Sequence, residues 1–195
     1  MPRSKQQNEE MRAATRTAVL NSAMTLFAQN GYAHTTTRSI AQEAGISIGL
    51  MYHYFDSKES LLRAVFNHSM AILSETFTQS YEQSAPSKRL AALLRSMLTL
   101  LTEDQSFWAL FYMLRTQPAI QRELGGDFRQ WTQRLRELFE GELVQLGHKN
   151  PHIEAYLLYS LVEGTIQQYL LDPQTYPLAE MIEQIIQRYA QPLMN

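Results

Sequence analysis

Thr36, Thr37 and Arg38 stand together where a helix is expected to begin, and Ser47-Ile48-Gly49-Leu50 stand where a second begins. A Thr at a helix start can accept the free N–H groups of the first turn. Those N–H groups and the helix dipole favour a phosphate, which suits Thr36 and Thr37. Arg38, one residue further in, can reach a phosphate or a guanine edge; the alternative is a solvent-facing charge. Ile48 and Leu50 are costly to leave on a bare surface, and each suits a thymine methyl, with core packing as the rival. Gly49 has no side chain, so the backbone there can approach DNA closely. This is the chemistry of groove recognition.

The elements that must position these residues can be read from the same stretch. Ile40, Ala41 and Ala44 fall on one helical face. Gly45 suits the left-handed conformation that ends a helix, and Ser47 can cap a second short helix from Ile48 to about Tyr54. A connection of about three residues makes the two helices cross steeply, as in a helix-turn-helix. Such units place the start of the second helix against base edges in the major groove.

Residues 31–62 closely resemble the DNA-binding domain of the TetR family of bacterial transcriptional regulators. The resemblance is carried by Thr36-Thr37 before Arg38, Ile40-Ala41, Ala44-Gly45-Ile46-Ser47, Gly49-x-x-Tyr52-x-Tyr54-Phe55, Ser57-Lys58-Glu59 and Leu61-Leu62. It implies that Tyr52 and Tyr54 contact phosphates, that His53 points into the groove between them, and that Lys58 grips a phosphate. It also implies that the first helix packs across the unit and carries Tyr32 into the core. Without the family, Lys58 reads as a surface lysine, and His53 lacks a partner at metal-ligand spacing.

The rest of the chain reads as helices only, so the expected class is all-α with about nine helices. Residues 1–10 read as a frayed tail in which Arg3, Lys5 and, just beyond, Arg12 could touch phosphates. A helix follows from about Glu9 or Met11 to Asn30, with Val19, Ala23, Leu26 and Phe27 on its buried face and Gly31 stopping it. Another runs from Ser57 to about Phe77, and residues 79–87 read as a loop. Further helices are expected from about Pro86 to Leu101, and over the aromatic run Phe107–Met113, closed at or before Pro118. Gly125-Gly126 reads as a break, followed by helices from Asp127 to Leu146, from Pro151 to Leu171, and from near Pro177 onward. Residues 1–63 are taken as the DNA-binding domain and 64–195 as an effector-binding and dimerisation domain.

In that second domain Phe66, Met70, Met97, Phe107, Phe111, Tyr112, Trp131 and Tyr159 are candidates to line a ligand pocket, with ordinary core as the rival. Aromatics and methionines favour a small, largely apolar effector. The last two helices carry apolar stripes (Leu158, Val162, Ile166 and Tyr169; Ile182, Ile185, Ile186 and Tyr189). These fit the family's dimer interface, a four-helix bundle formed by two copies, and also suit the closing of a monomer core.

The chain is 45% hydrophobic and 18% charged, enough to fold around a real core. Net charge is −2, but residues 1–63 hold seven Lys/Arg against five Asp/Glu, and residues 64–195 hold ten against fourteen. With no cysteine, a disulfide framework, a thiolate nucleophile and a Cys-ligated zinc are excluded. His148 and His152 are four apart, but Pro151 at a helix start lies between them, so no metal face is expected. No Ser/His/Asp set or carboxylate pair can be assembled, so no enzyme and no cofactor are expected. The N-terminus is polar, without an apolar signal region, and the apolar runs are too short or interrupted to span a bilayer; a soluble cytoplasmic protein is expected. The expected function is a DNA-binding transcriptional regulator: a homodimeric repressor released from a palindromic operator in double-stranded DNA by a small-molecule ligand. A helical dimer working through protein contacts, or a ligand-independent regulator, is the alternative.

Overall fold

The computed structural model describes residues 5–191. Regular structure among them is helical throughout, and the chain divides into two compact units, residues 1–71 and 72–195. No helix among the described residues is long and apolar enough to cross a membrane.

The first unit holds α1 (Lys5–Asn30), α2 (Thr37–Glu43), α3 (Ile48–Tyr54) and the start of α4 (Lys58–Glu82). α1 begins several residues before the expected start. Gln and Glu are good helix formers, and Gln6 donates to Glu10 one turn on, at 3.1 Å. Arg3 lies outside the described residues. Gly31 ends α1 with a φ of 76°. Buried Thr35 then turns its hydroxyl back to the carbonyls of Leu26 and Gly31, at 3.0 and 2.9 Å, satisfying acceptors left open at the helix end.

The turn between α2 and α3 is built from local hydrogen bonds. Thr36 and Ser39 form a reciprocal capping box at the start of α2. At its end Gly45, with φ 67°, directs its N–H to Gln42 O, and Ile46 N–H reaches Ala41 O at 2.9 Å, the pairing of a Schellman motif. Ser47 Oγ accepts from Leu50 N–H at 3.1 Å and starts α3 at once. Val19, Ala23, Phe27, Ile40, Ala41, Met51, Phe55, Leu61 and Leu62 close the core of this unit. Ser57 and Ser60 cap α4 reciprocally, at 3.0 and 3.1 Å.

The second unit contains the end of α4, a 3-10 turn (Pro86–Lys88), α5 (Arg89–Glu103), α6 (Gln105–Arg115), α7 (Pro118–Gln145), α8 (Pro151–Leu171) and α9 (Leu178–Tyr189). Leu90, Leu93, Leu94, Ile120, Phe139, Leu143, Leu158 and Ile182 are buried at its centre. α4 continues past Phe77 to Glu82, shortening the loop read at 79–87. Pro118 does mark a boundary, as the first residue of α7.

Gly125-Gly126 breaks nothing: α7 runs straight through it. Two glycines weaken a helix by about 1 kcal/mol each, but α7 packs along α8 on one side and against α6 on another, and tertiary packing outweighs local propensity.

Candidate functional site

Within the first unit, α2 and α3 present one exposed surface. Arg38, Ser47, Gly49 and His53 are exposed, and so is Thr36; Thr37, Tyr54 and Lys58 are half-buried. Ile48 and Leu50 are 37% and 38% exposed and Tyr52 is 50% exposed, whereas Met51 and Phe55 are buried. Leu50 therefore faces outward, away from the core. A Cβ built on Gly49 would meet nothing of the protein nearer than Ser47 Oγ at 4.0 Å. The fold itself therefore leaves room for a side chain at 49.

Two of these exposed side chains, Tyr52 and His53, are tethered to neighbouring helices. The Tyr52 hydroxyl lies 3.2 Å from that of Thr37, joining α3 to α2. His53 Nε2 lies 3.3 Å from Arg12 Nη2, joining α3 to α1, and the Arg16 guanidinium covers the Phe55 ring. Lys58 Nζ sits 4.2 Å from the centre of the Tyr32 ring, whose hydroxyl donates to Glu59 at 3.2 Å. Partial burial lowers the Lys58 pKa, opposed by Glu59. The Glu59 carboxylate is held low, chiefly by a backbone N–H at the helix start. Tyr32 was expected in the core and is half-buried: one face of its ring meets Phe27, and its polar end serves the Lys58–Glu59 pair.

The second unit contains a chain of cavities. A polar vestibule of about 490 Å³ is lined by Arg115, Arg129, Thr132, Arg136, Tyr159 and Glu163. Tyr159 and Glu163 also line a tight aromatic chamber of about 30 Å³, walled by Trp108, Phe111, Tyr112 and Trp131 among others. Phe77, Trp131 and Leu135 are shared in turn with an apolar groove of about 310 Å³ between α4 and α7.

The junction of vestibule and chamber is a hydrogen-bonded cluster. Arg115 on α6 grips Glu163 on α8 with two bonds, at 2.6 and 2.9 Å. The Tyr159 hydroxyl donates to the same carboxylate, and Thr132 lies 3.3 Å from that hydroxyl. Burial, then the bond to Glu163, pushes the Tyr159 phenol up to about 12. Burial raises Tyr112 too, helped by the charge of Glu163, and Glu163 raises Arg115. Arg136 covers the rings of Tyr156 and Tyr159, at 4.5 and 5.8 Å.

Of the residues expected to line a pocket, Met97, Phe111, Tyr112, Trp131 and Tyr159 line these cavities. Phe107 lines none of the three and packs on Trp108 and Phe111 instead. Phe66 and Met70 belong to the first unit. Sequence reading missed Phe77, Trp108, Arg115, Arg129, Arg136 and Glu163. Arg115 and Glu163 are 48 residues apart on different helices, and no local pattern announces such a pair.

The residues expected at a dimer interface lie inside the single chain, as the alternative of closing a monomer core has it. Leu158, Val162, Ile166, Tyr169, Ile182, Ile185, Ile186 and Tyr189 are each at most 7% exposed within the single chain. They have almost no apolar area left for a second copy. Val162 and Ile166 wall the aromatic chamber. The apolar residues that α8 leaves exposed are Ile153, Tyr156, Leu157, Leu161 and Leu171.

Comparison with known proteins agrees with both units. Residues 19–65 match the family described as bacterial regulatory proteins, tetR family. Residues 86–194, more than half of the chain, match the C-terminal domain of BetI-type transcriptional repressors. The chain is 23% identical over 184 residues to the fatty acid metabolism regulator protein of Bacillus subtilis, covering 87% of this chain and 90% of that protein. It is 30% identical over 108 residues to the transcriptional regulator BetI of Brucella canis, covering 53% and 54%. The crystal structure of the regulator FadR from Bacillus subtilis in complex with stearoyl-CoA shares the fold, with a TM-score of 0.74 at 18% identity over 91% of this chain and 99% of that one. A match to the family's regulatory domain over residues 19–65, followed by a match to a repressor C-terminal domain over residues 86–194, places the chain in the TetR family: it is a DNA-binding transcriptional regulator with a C-terminal domain of the BetI repressor type.

Proposed function

We propose that the protein is a cytoplasmic homodimeric repressor that binds a palindromic operator and leaves it when a small, largely apolar molecule occupies the second unit. The observation that carries this reading is the surface of α3. Ile48 and Leu50 stand exposed on either side of Gly49, beside Tyr52, and a Cβ at Gly49 would meet only Ser47 Oγ, at 4.0 Å. Apolar side chains on a short exposed helix fit thymine methyls in a major groove. Thr36, Thr37, Arg38, Tyr52, Tyr54 and Lys58 surround them as phosphate or base contacts, with Ser47 and His53 at the rim.

A dimer fits the exposed apolar face of α8, with Ile153, Leu157 and Leu161 at its centre. Two heads would then read half-sites about 34–36 Å apart. The aromatic chamber supports an apolar effector, as does the stearoyl-CoA held by the FadR neighbour. α4 supplies Lys58 to the first unit and Phe77 and Tyr81 to the groove of the second, so a ligand that favours one position of α4 shifts the DNA-binding equilibrium by its differential affinity for the two states.

The test is fluorescence anisotropy on duplex DNA from the protein's own upstream region, with an unrelated duplex as control, at about 50 and 200 mM salt. Selective binding that weakens with salt, and that is lost when Tyr54 and Lys58 are replaced, is expected. Equal, weak binding to both duplexes, and no ligand selected from random DNA, overturns the reading.

A further inference from the structure

We propose that the effector is an amphipathic anion: its charged head lies against Arg129 and Arg136 in the polar vestibule, and its apolar tail passes Tyr159 and Glu163 into the aromatic chamber. The inference rests on the proposed effector site and gives it a charge and a direction. Aromatic walls alone would suit either an uncharged ligand or a cation, since cations are drawn to ring faces. The charges decide between them.

Glu163 is the carboxylate that lines the vestibule and the chamber. It is already engaged by both arms of Arg115 and by the Tyr159 hydroxyl, so it has little attraction left for a cation. Arg129 and Arg136 line the same vestibule. Among the described residues neither has a carboxylate within ion-pair distance. The vestibule therefore carries a net positive charge, although the second unit as a whole is acidic. Guanidinium forks bind carboxylate and phosphate groups through paired charge-assisted bonds, and Thr132 and Gln133 add neutral polar atoms to the same wall.

The shared walls give the tail a direction inward. Tyr159 and Glu163 border both spaces, and Phe77, Trp131 and Leu135 continue the chamber into the apolar groove. At about 30 Å³ the chamber is close to filled by its own side chains, so an entering tail must displace rings. Both tryptophans of the chain, Trp108 and Trp131, line that chamber. Intrinsic fluorescence therefore reports tail entry directly.

The experiment uses full-length protein and four probes with the same ten-carbon tail, each below its micelle concentration: decanoate, decyl phosphate, decanol and decyltrimethylammonium. Tryptophan emission is titrated with each. The two anions are expected to bind about tenfold or more tighter than the alcohol, the scale of a charge-assisted bond, and the cation weakest. The preference of decanoate against decyl phosphate tells a carboxylate head from a phosphate. Arg129→Gln with Arg136→Gln, both partly solvent-facing, removes the preference for anions, so that decanoate and decanol bind about alike. Glu163→Gln, which frees Arg115, tightens the anions several-fold; a cation site would instead lose its ligand. Equal binding of alcohol and anion, tighter binding of the cation, or no change of emission with any probe overturns the proposal. Operator binding measured on the same protein without probes keeps this failure distinct from failure of the regulator reading. Anion binding that does not release DNA supports the ligand assignment and removes release.

Discussion

The hydroxyl of Tyr52 lies 3.2 Å from the hydroxyl of Thr37, so the two helices of the DNA-reading unit are joined at the surface they present as well as through their core. An exposed hydroxyl pair of this kind adds about 1 kcal/mol or less to stability. Tyr52→Phe is expected to leave the denaturant midpoint nearly unchanged and to weaken operator binding several-fold. Anisotropy titrations set beside urea unfolding separate the two effects. An affinity equal to wild type shows that the hydroxyl serves the fold alone.

At Gly49 stability and binding are expected to move in opposite directions. Alanine there meets only Ser47 Oγ, at 4.0 Å, and helical alanine is favoured over glycine by about 0.5–1 kcal/mol. Gly49→Ala should melt slightly higher and bind operator more weakly. A rise in melting temperature with unchanged affinity would mean that the DNA backbone and bases do not come close at this residue.

α8 offers a contrast between its two faces. Leu157 and Leu161 are 50% and 41% exposed, whereas Leu158 and Val162, beside them in sequence, are 0% and 2% exposed. Leu157→Glu with Leu161→Glu is expected to give a folded monomer by light scattering, with operator affinity lost. Leu158→Ala should instead cost about 2–5 kcal/mol of folding stability. A double variant that remains dimeric places the interface on another surface.

The Arg115–Glu163 pair is partly buried, with side chains 26% and 17% exposed. Removing one partner of such a pair costs more than the pair contributes, because the other is left uncompensated. Arg115→Ala is expected to lower stability by about 2 kcal/mol, allowing for partial solvent screening. Arg95→Ala, at an ion pair whose side chains are 53% and 47% exposed, should change it by well under about 1 kcal/mol. Equal losses in the two variants would show that the junction is no tighter than the surface.

Tyr159 sets an alkaline limit. Its phenol is raised from the ordinary value near 10 to about 12. Between those values the unfolded chain has lost a proton that the folded chain keeps. Unfolding is therefore favoured as pH rises, and the contribution is complete below about pH 10 and gone above about pH 12. Tyr112, Tyr81 and Tyr189 are raised as well. Thermal melts should fall steeply over this range, and Tyr159→Phe should flatten the fall. Tyrosinate absorbance that develops at the ordinary phenol value in the native protein would contradict the burial of these rings.

What could be read from the sequence is what neighbouring residues decide among themselves. Thr36, Gly45 and Ser47 act on N–H and C=O groups within a few positions of their own, so the start, stop and restart of α2 and α3 are written locally. The outward facing of Ile48 and Tyr52 follows from helical period once Met51 and Phe55 are assigned inward. The chain outside this stretch is legible as helices, because a stripe of apolar residues at helical spacing needs no partner to be recognised. Which stripe meets which is another matter. Val162 and Ile166 face a chamber, Leu157 and Leu161 face outward, and both pairs are equally apolar in sequence. The Gly125-Gly126 pair signals a break, and packing along α8 overrides it. Arg115, Glu163 and Tyr159 come together from α6 and α8, and Arg136 on α7 covers the ring of Tyr156 on α8. Apolar periodicity specifies that a face is buried but not against what. The charge of the vestibule and the shape of the chamber exist only once separate helices have packed together.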